Sequence, residues 1–153
     1  MKKQSVCLRE GLSTDPGKGQ CRTYALALLA EAFTRRGEHE AALGALKEGM
    51  QIQQEMGQQT WEPELHRVRG VALLGLNERE EGQKSLLEAL AAAQRRRMKS
   101  YELRAAMNLA RLWGEQGRRA EAHELLAPIY GWFTEGLDTA DLKDAKALLD
   151  ALA

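Results

Sequence analysis

Proline is nearly absent from this chain of 153 residues: Pro16, Pro63 and Pro128 are all it has. Valine and isoleucine are almost as rare, limited to Val6, Val68, Val71, Ile52 and Ile129, and aromatics make up only 5%. A sheet would have little with which to pack its pleated faces. Ala, Leu, Glu, Gln and Arg take the vacated places, and these residues lose least on entering a helix. The composition predicts an all-α chain. Long apolar runs are missing too: nothing approaches the roughly 20 residues a membrane span needs. The start "MKKQSVCLRE" has a positive front without an apolar stretch behind it, so no signal peptide is expected. Neither sign of charge is in excess. Twenty-two basic residues face 22 acidic ones, which gives no global pull toward nucleic acid or an anionic membrane. Cys7 and Cys21 are too few for a disulfide framework in a chain able to bury a core, so thiols and a cytoplasmic location are expected. None of His39, His66 and His123 stands at a ligand spacing from a cysteine or another histidine, and no metal or cofactor is expected.

The stretch "GLSTDPGKGQ", residues 11–20, sets a glycine beside a lysine, as phosphate-binding loops do. Such a loop needs four residues between its outer glycines and a hydroxyl after the lysine. Here five residues separate Gly11 from Gly17, and Gly19 follows Lys18. Val6, Cys7 and Leu8 upstream are too short for a buried strand. Asp15-Pro16-Gly17 reads as a turn instead, with proline fixing φ and glycine free to take a positive one.

What the chain has in abundance is order at a distance. Shifted by forty residues against itself, it aligns Trp61 with Tyr101 and Glu62 with Glu102. Ala30, Gly70 and Ala110 fall together, then Phe33, Leu73 and Trp113, then Gly37, Asn77 and Gly117. Ala42, Gly82 and Ala122 follow, and Leu46, Leu86 and Leu126 close the set. Each column keeps one physical type: small, large apolar, turn, small, large apolar. Gly and Asn in the middle column tolerate the left-handed backbone that ends one helix before the next begins. The small residues on either side let two helices approach closely. Each unit is therefore expected to be a helical hairpin, with helices at 22–36 and 39–56, 62–76 and 79–97, 101–116 and 119–131. A last helix over 138–152 presents Leu142, Ala145, Leu149 and Leu152 on one face. Asp138 or Thr139 is expected to cap it, and Pro128 to bend the helix before it.

This order of residues resembles the tetratricopeptide repeat, although that family's period is about 34 residues. HEAT repeats, at about 40–47, fit the period but not the paired small residues flanking the turn. The stretch from "WEPELHRVRG" through "SYELRAAMNLARLWGEQGRRAEAHELLAPIYGWF" to the end is also similar to the C-terminal tetratricopeptide region of large bacterial regulators. Those proteins carry cyclase or ATPase modules that this chain lacks, so the resemblance implies no such activity. It implies an all-α, right-handed superhelix of three hairpins, 22–60, 61–100 and 101–136, plus a capping helix over 138–152. Residues 1–21 form a separate N-terminal segment.

In that family the first helix of each hairpin lines a concave groove. By register, the resemblance places Tyr24, Glu31, Glu64, Arg67, Arg104, Met107 and Arg111 there, with Ala27, Val71 and Leu74 between them. Arginine in a groove can fork onto a carboxylate or phosphate. Alternatively, Glu31, Glu64, Arg67 and Arg104 pair among themselves. The lysines and asparagines with which family members clamp a terminal carboxylate are mostly missing. "RRRMK", Arg95 to Lys99, reads as the last turn of a helix, where cations meet the negative end of the dipole. His66 reads as a packed histidine, since no nucleophile keeps its spacing, and Trp61, Trp113 and Trp132 as packing at helix seams. The expected function is a non-catalytic module that binds a protein or peptide segment, an acidic one included. The alternative is a structural or self-association segment of a larger regulator.

Overall fold

The computed structural model describes residues 19–57 and 59–153. The Asp15-Pro16-Gly17 turn, Lys18 and Cys7 lie outside the described residues. Among those described there are seven helices and no strand: α1 (Gly19–Arg35), α2 (His39–Met56), α3 (Glu62–Gly75), α4 (Arg79–Arg95), α5 (Lys99–Glu115), α6 (Arg119–Gly131) and α7 (Ala140–Leu152). Every expected helix is present within three residues of its predicted bounds. None of these helices is long and apolar enough to cross a membrane. Cys21, on α1, is disulfide-bonded where a thiol was expected. Spacing along a chain does not report which side chains meet in space, and the cysteines no longer argue for a reducing compartment.

One joint is used again and again. Gly37, Asn77 and Gly117 all take positive φ, as the turn column requires, and so do Gly57 and Arg97 between hairpins. Left-handed residues therefore recur at every twentieth position. After the left-handed residues 37, 77, 97 and 117, the next residue donates its N–H to a carbonyl five back: Glu38 to Phe33 at 2.9 Å, Glu78 to Leu73 at 2.9 Å, Met98 to Ala93 at 2.9 Å and Arg118 to Trp113 at 2.8 Å. Its own carbonyl then accepts the first bond of the next helix, from Ala42, Gly82, Glu102 and Ala122 respectively. A single residue closes one helix and opens another. None of α2 to α7 has a side-chain cap, Thr139 included, so the expected capping bond at α7 is replaced by backbone bonds. Thr139 donates to Gly136 and accepts from Lys143. At Pro128, α6 carries on to Gly131.

Paired helices pack antiparallel, and the first helices also touch in series, α1 on α3, α3 on α5 and α5 on α7. Hairpin two shares its sides. Leu65, Val68 and Ala72 of α3 are buried with Ala27, Ala30, Ala42 and Leu46 of hairpin one. Leu86, Ala89 and Leu90 of α4 belong with Leu103, Leu109, Leu126 and, from α7, Leu142 and Leu152. No hairpin has a core of its own, which is how stacked repeats become one cooperative body.

In hairpin two the small columns leave no room for a Cβ. A Cβ built on Gly70 would lie 2.7 Å from Leu86 Cγ and 3.0 Å from the Gly82 carbonyl oxygen, and one on Gly82 would lie 3.1 Å from the Gly70 oxygen. The equivalent positions in hairpins one and three are alanines. Gly70→Ala should cost about 1–3 kcal/mol through overpacking, despite alanine's better helix propensity. Gly44→Ala, where a Cβ meets nothing within 4 Å, should leave stability equal or slightly raised. Urea unfolding of both variants checks this, and equal midpoints would show that the crossing has room to spare.

Candidate functional site

The first-helix row carries the charges the sequence singled out. Arg67, in the middle of α3, points along the row from a site only 8% exposed. Its Nε and Nη2 donate to the two oxygens of Glu64, one turn earlier, at 3.0 and 2.7 Å. Nη2 also reaches Glu31 of α1 at 3.2 Å, and Nη1 reaches Asn108 Oδ1 of α5 at 3.2 Å. Arg104 of α5 donates to the same Glu64 at 3.0 Å and turns its Nε to Asp141 of α7 at 3.4 Å. One continuous row of charge thus runs from α1 through α3 and α5 to α7. Burial works against the Arg67 guanidinium, but its bonds to Glu64 and Glu31 outweigh that, and its pKa is held above the ordinary arginine value.

Of the two alternatives for these arginines, the geometry takes the pairing one for Arg67 and Arg104. Glu31, Glu64, Arg67 and Arg104 come together. The other expected groove residues do not join them. Met107 is buried in the core. Tyr24 stacks on Trp61 with ring centroids 4.5 Å apart, and Trp61 meets Tyr101 edge-on at 6.3 Å, so an aromatic chain links the starts of α3 and α5 to α1. Tyr101 has its pKa raised, by burial first and by the charge of Glu64 second. Arg111 is exposed and lines a cleft between α3 and α5. Asp141 of α7, half exposed, closes the charged row.

The basic run and the lone histidine find structural employment. Arg95 and Arg96 both reach back to Glu62 at the start of α3, at 3.4 and 3.7 Å, and Arg96 also donates to Gln59 at 3.1 Å. Acceptors at the start of the same hairpin and in the link before it, rather than the helix dipole alone, hold Arg95 and Arg96. Arg97 takes the left-handed turn position at φ 54°. His66 sits half-buried between Glu88 at 3.3 Å and Glu62 at 3.9 Å, its pKa lowered by burial against the pull of both carboxylates. Of the tryptophans, Trp113 donates to Gln83 at 3.2 Å and stacks under Arg118. Trp132 departs from the packing expectation: it is 58% exposed, beside Phe133 and beneath Lys99.

Sequence reasoning overlooked Asn108 and Arg79. Asn108 stands in a column that holds Leu28 and Val68 elsewhere, so it read as a packing position. Arg79 opens a second helix and lay off the register of the first-helix row. Both border the same cleft as Arg111. No signal in the sequence marks either one, because which arginines are paired is decided by distances in space. The chain matches no protein-family model, no curated protein and no solved structure.

Proposed function

We propose that this chain is a non-catalytic, tetratricopeptide-like interaction module whose stacked hairpins continue as a right-handed superhelix. Its first helices make a concave surface for a protein segment. The observation that carries this reading is the paired charge row. It ties the three first helices and the last helix together through partly desolvated ion pairs, and such a surface is held in one shape before any partner arrives. Preorganisation of this kind serves recognition, because less ordering remains to be done on binding. The recurring turn at every twentieth residue supports the repeat architecture.

A photo-crosslinking residue placed in turn at Arg35 and Glu115, both exposed on first helices, and at Lys84 and Leu87, exposed on α4, tests the surface. Exposed to lysate, the first-helix positions should trap a discrete partner and the α4 positions should not. Capture from α4 alone would move binding to the opposite face. Capture of a second copy of this chain would replace the reading with self-association.

A further inference from the structure

Among the described arginines, only Arg79, Arg97 and Arg111 make no side-chain hydrogen bond or ion pair. Two of these three converge. Arg79 and Arg111 border a cleft of about 320 Å³ between α3 and α5, whose apolar lining is Val71, Leu74 and Leu112. Asn108 lines it as well, and its Oδ1 is already taken by Arg67, which leaves its Nδ2 amino group as a donor. Glu115 stands at the edge without an ion pair to either guanidinium. Two cations and an amide donor therefore face one carboxylate around an apolar base. That balance attracts an anion, and planar guanidiniums match a carboxylate in shape.

The geometry points to a binding site for an acidic side chain, Asp or Glu, flanked by an apolar residue in an extended peptide. The carboxylate meets Arg79, Arg111 and Asn108, and the apolar neighbour lies on Leu74 and Leu112. Along the row α1 lies beyond α3 and α7 beyond α5, and the acid bound is a side chain within the segment rather than its terminal carboxylate. The network around Arg67 acts here as a support, since it fixes which face of the Asn108 amide is free. This rests on the protein-binding reading above and adds the chemistry of what is bound.

The test is a nuclear magnetic resonance titration of the isotopically labelled protein with acetyl-Leu-Glu-Leu-amide, following the arginine Nε–H and asparagine amide signals. Saturable shifts at Arg79, Arg111 and Asn108 are expected in the millimolar range, as suits so small a ligand. Acetyl-Leu-Gln-Leu-amide should bind at least about tenfold more weakly, because charge-assisted hydrogen bonds are lost. The double variant Arg79→Gln/Arg111→Gln should lose at least as much while keeping its helix content. Arg97→Gln, which removes the third unpaired arginine, should bind like the parent. Equal binding of the two peptides would overturn the site, as would saturable shifts only at the separate cleft of Leu43, Met50 and Leu73, or none at all. So would preference for acetyl-Leu-Gln-Leu with a free C-terminus. Partner crosslinking that persists in the double variant would sink the acidic site while leaving the interaction module standing.

Discussion

Replacing Arg67 by alanine should lower the unfolding free energy by about 3–5 kcal/mol, enough to unfold a marginal domain outright. The cost comes less from losing attraction than from what is left behind. Glu64 is only 6% exposed, and without Arg67 it would have Arg104 as its one remaining cation. A buried carboxylate stripped of two hydrogen bonds must be resolvated or released by local opening. Glu31 and Asn108 would lose a shared anchor at the same time. The double variant Glu64→Leu/Arg67→Met removes both charges and should recover most of the loss, because apolar side chains of similar volume often replace a buried ion pair without penalty. Urea denaturation followed by circular dichroism gives both values. A loss below about 1 kcal/mol for Arg67→Ala would mean that water screens the row as it does a surface pair.

The same arithmetic decides how binding is to be probed. Reversing Arg67 and Arg104 together would set two more carboxylates beside Glu31, Glu64 and Asp141, and the row would fly apart before any partner was tested. At the cleft, Arg79 and Arg111 are the arginines whose charge can be changed without loss of an existing pair. A register argument treats all arginines on a face alike. Distances separate those already matched from those still open.

What the sequence made legible was whatever a residue type must do by itself. Glycine and asparagine at 37, 77 and 117 are there for a backbone conformation, and alanine and glycine at 30, 70, 110, 42, 82 and 122 for lack of bulk. Type alone therefore located the hairpins. Arg97 shows the limit: arginine has no preference for positive φ, so nothing in its name revealed a turn, and the spacing of twenty stayed hidden inside the period of forty. Pairing was less legible still. Glu31 and Arg67 belong to different columns of the repeat, as do Arg67 and Asn108, and only long side chains let them meet across neighbouring helices. Columns report Cβ positions, whereas a guanidinium acts several ångströms away from its own.

Truncation after Gly136 should turn the chain into an associating or poorly soluble species with a lowered melting temperature. Leu142 and Leu152 of α7 are buried, and Leu148 and Leu149 are half-buried against the same core, which includes Leu126 and Ile129 of α6. Leu152 also reaches α5, where a Cβ on Gly114 would lie 3.2 Å from its Cδ2. The helix thus covers hairpin three on both of its helices, α5 and α6. Removing it uncovers apolar burial on the order of 4–8 kcal/mol. It also frees Arg104 from Asp141, and Arg119 from the carbonyls of Ala151 and Ala153. Stacked repeats stay soluble where their last element shows water a polar face, and Lys143, Asp144, Lys146 and Asp150 are that face here. Leu142→Ala should reproduce part of the effect, about 2–4 kcal/mol, through a cavity left in the shared core. Lys143→Ala should do almost nothing. Light scattering and thermal melts distinguish the outcomes: a truncated chain that stays monomeric and melts with the parent would show that hairpin three is complete without α7.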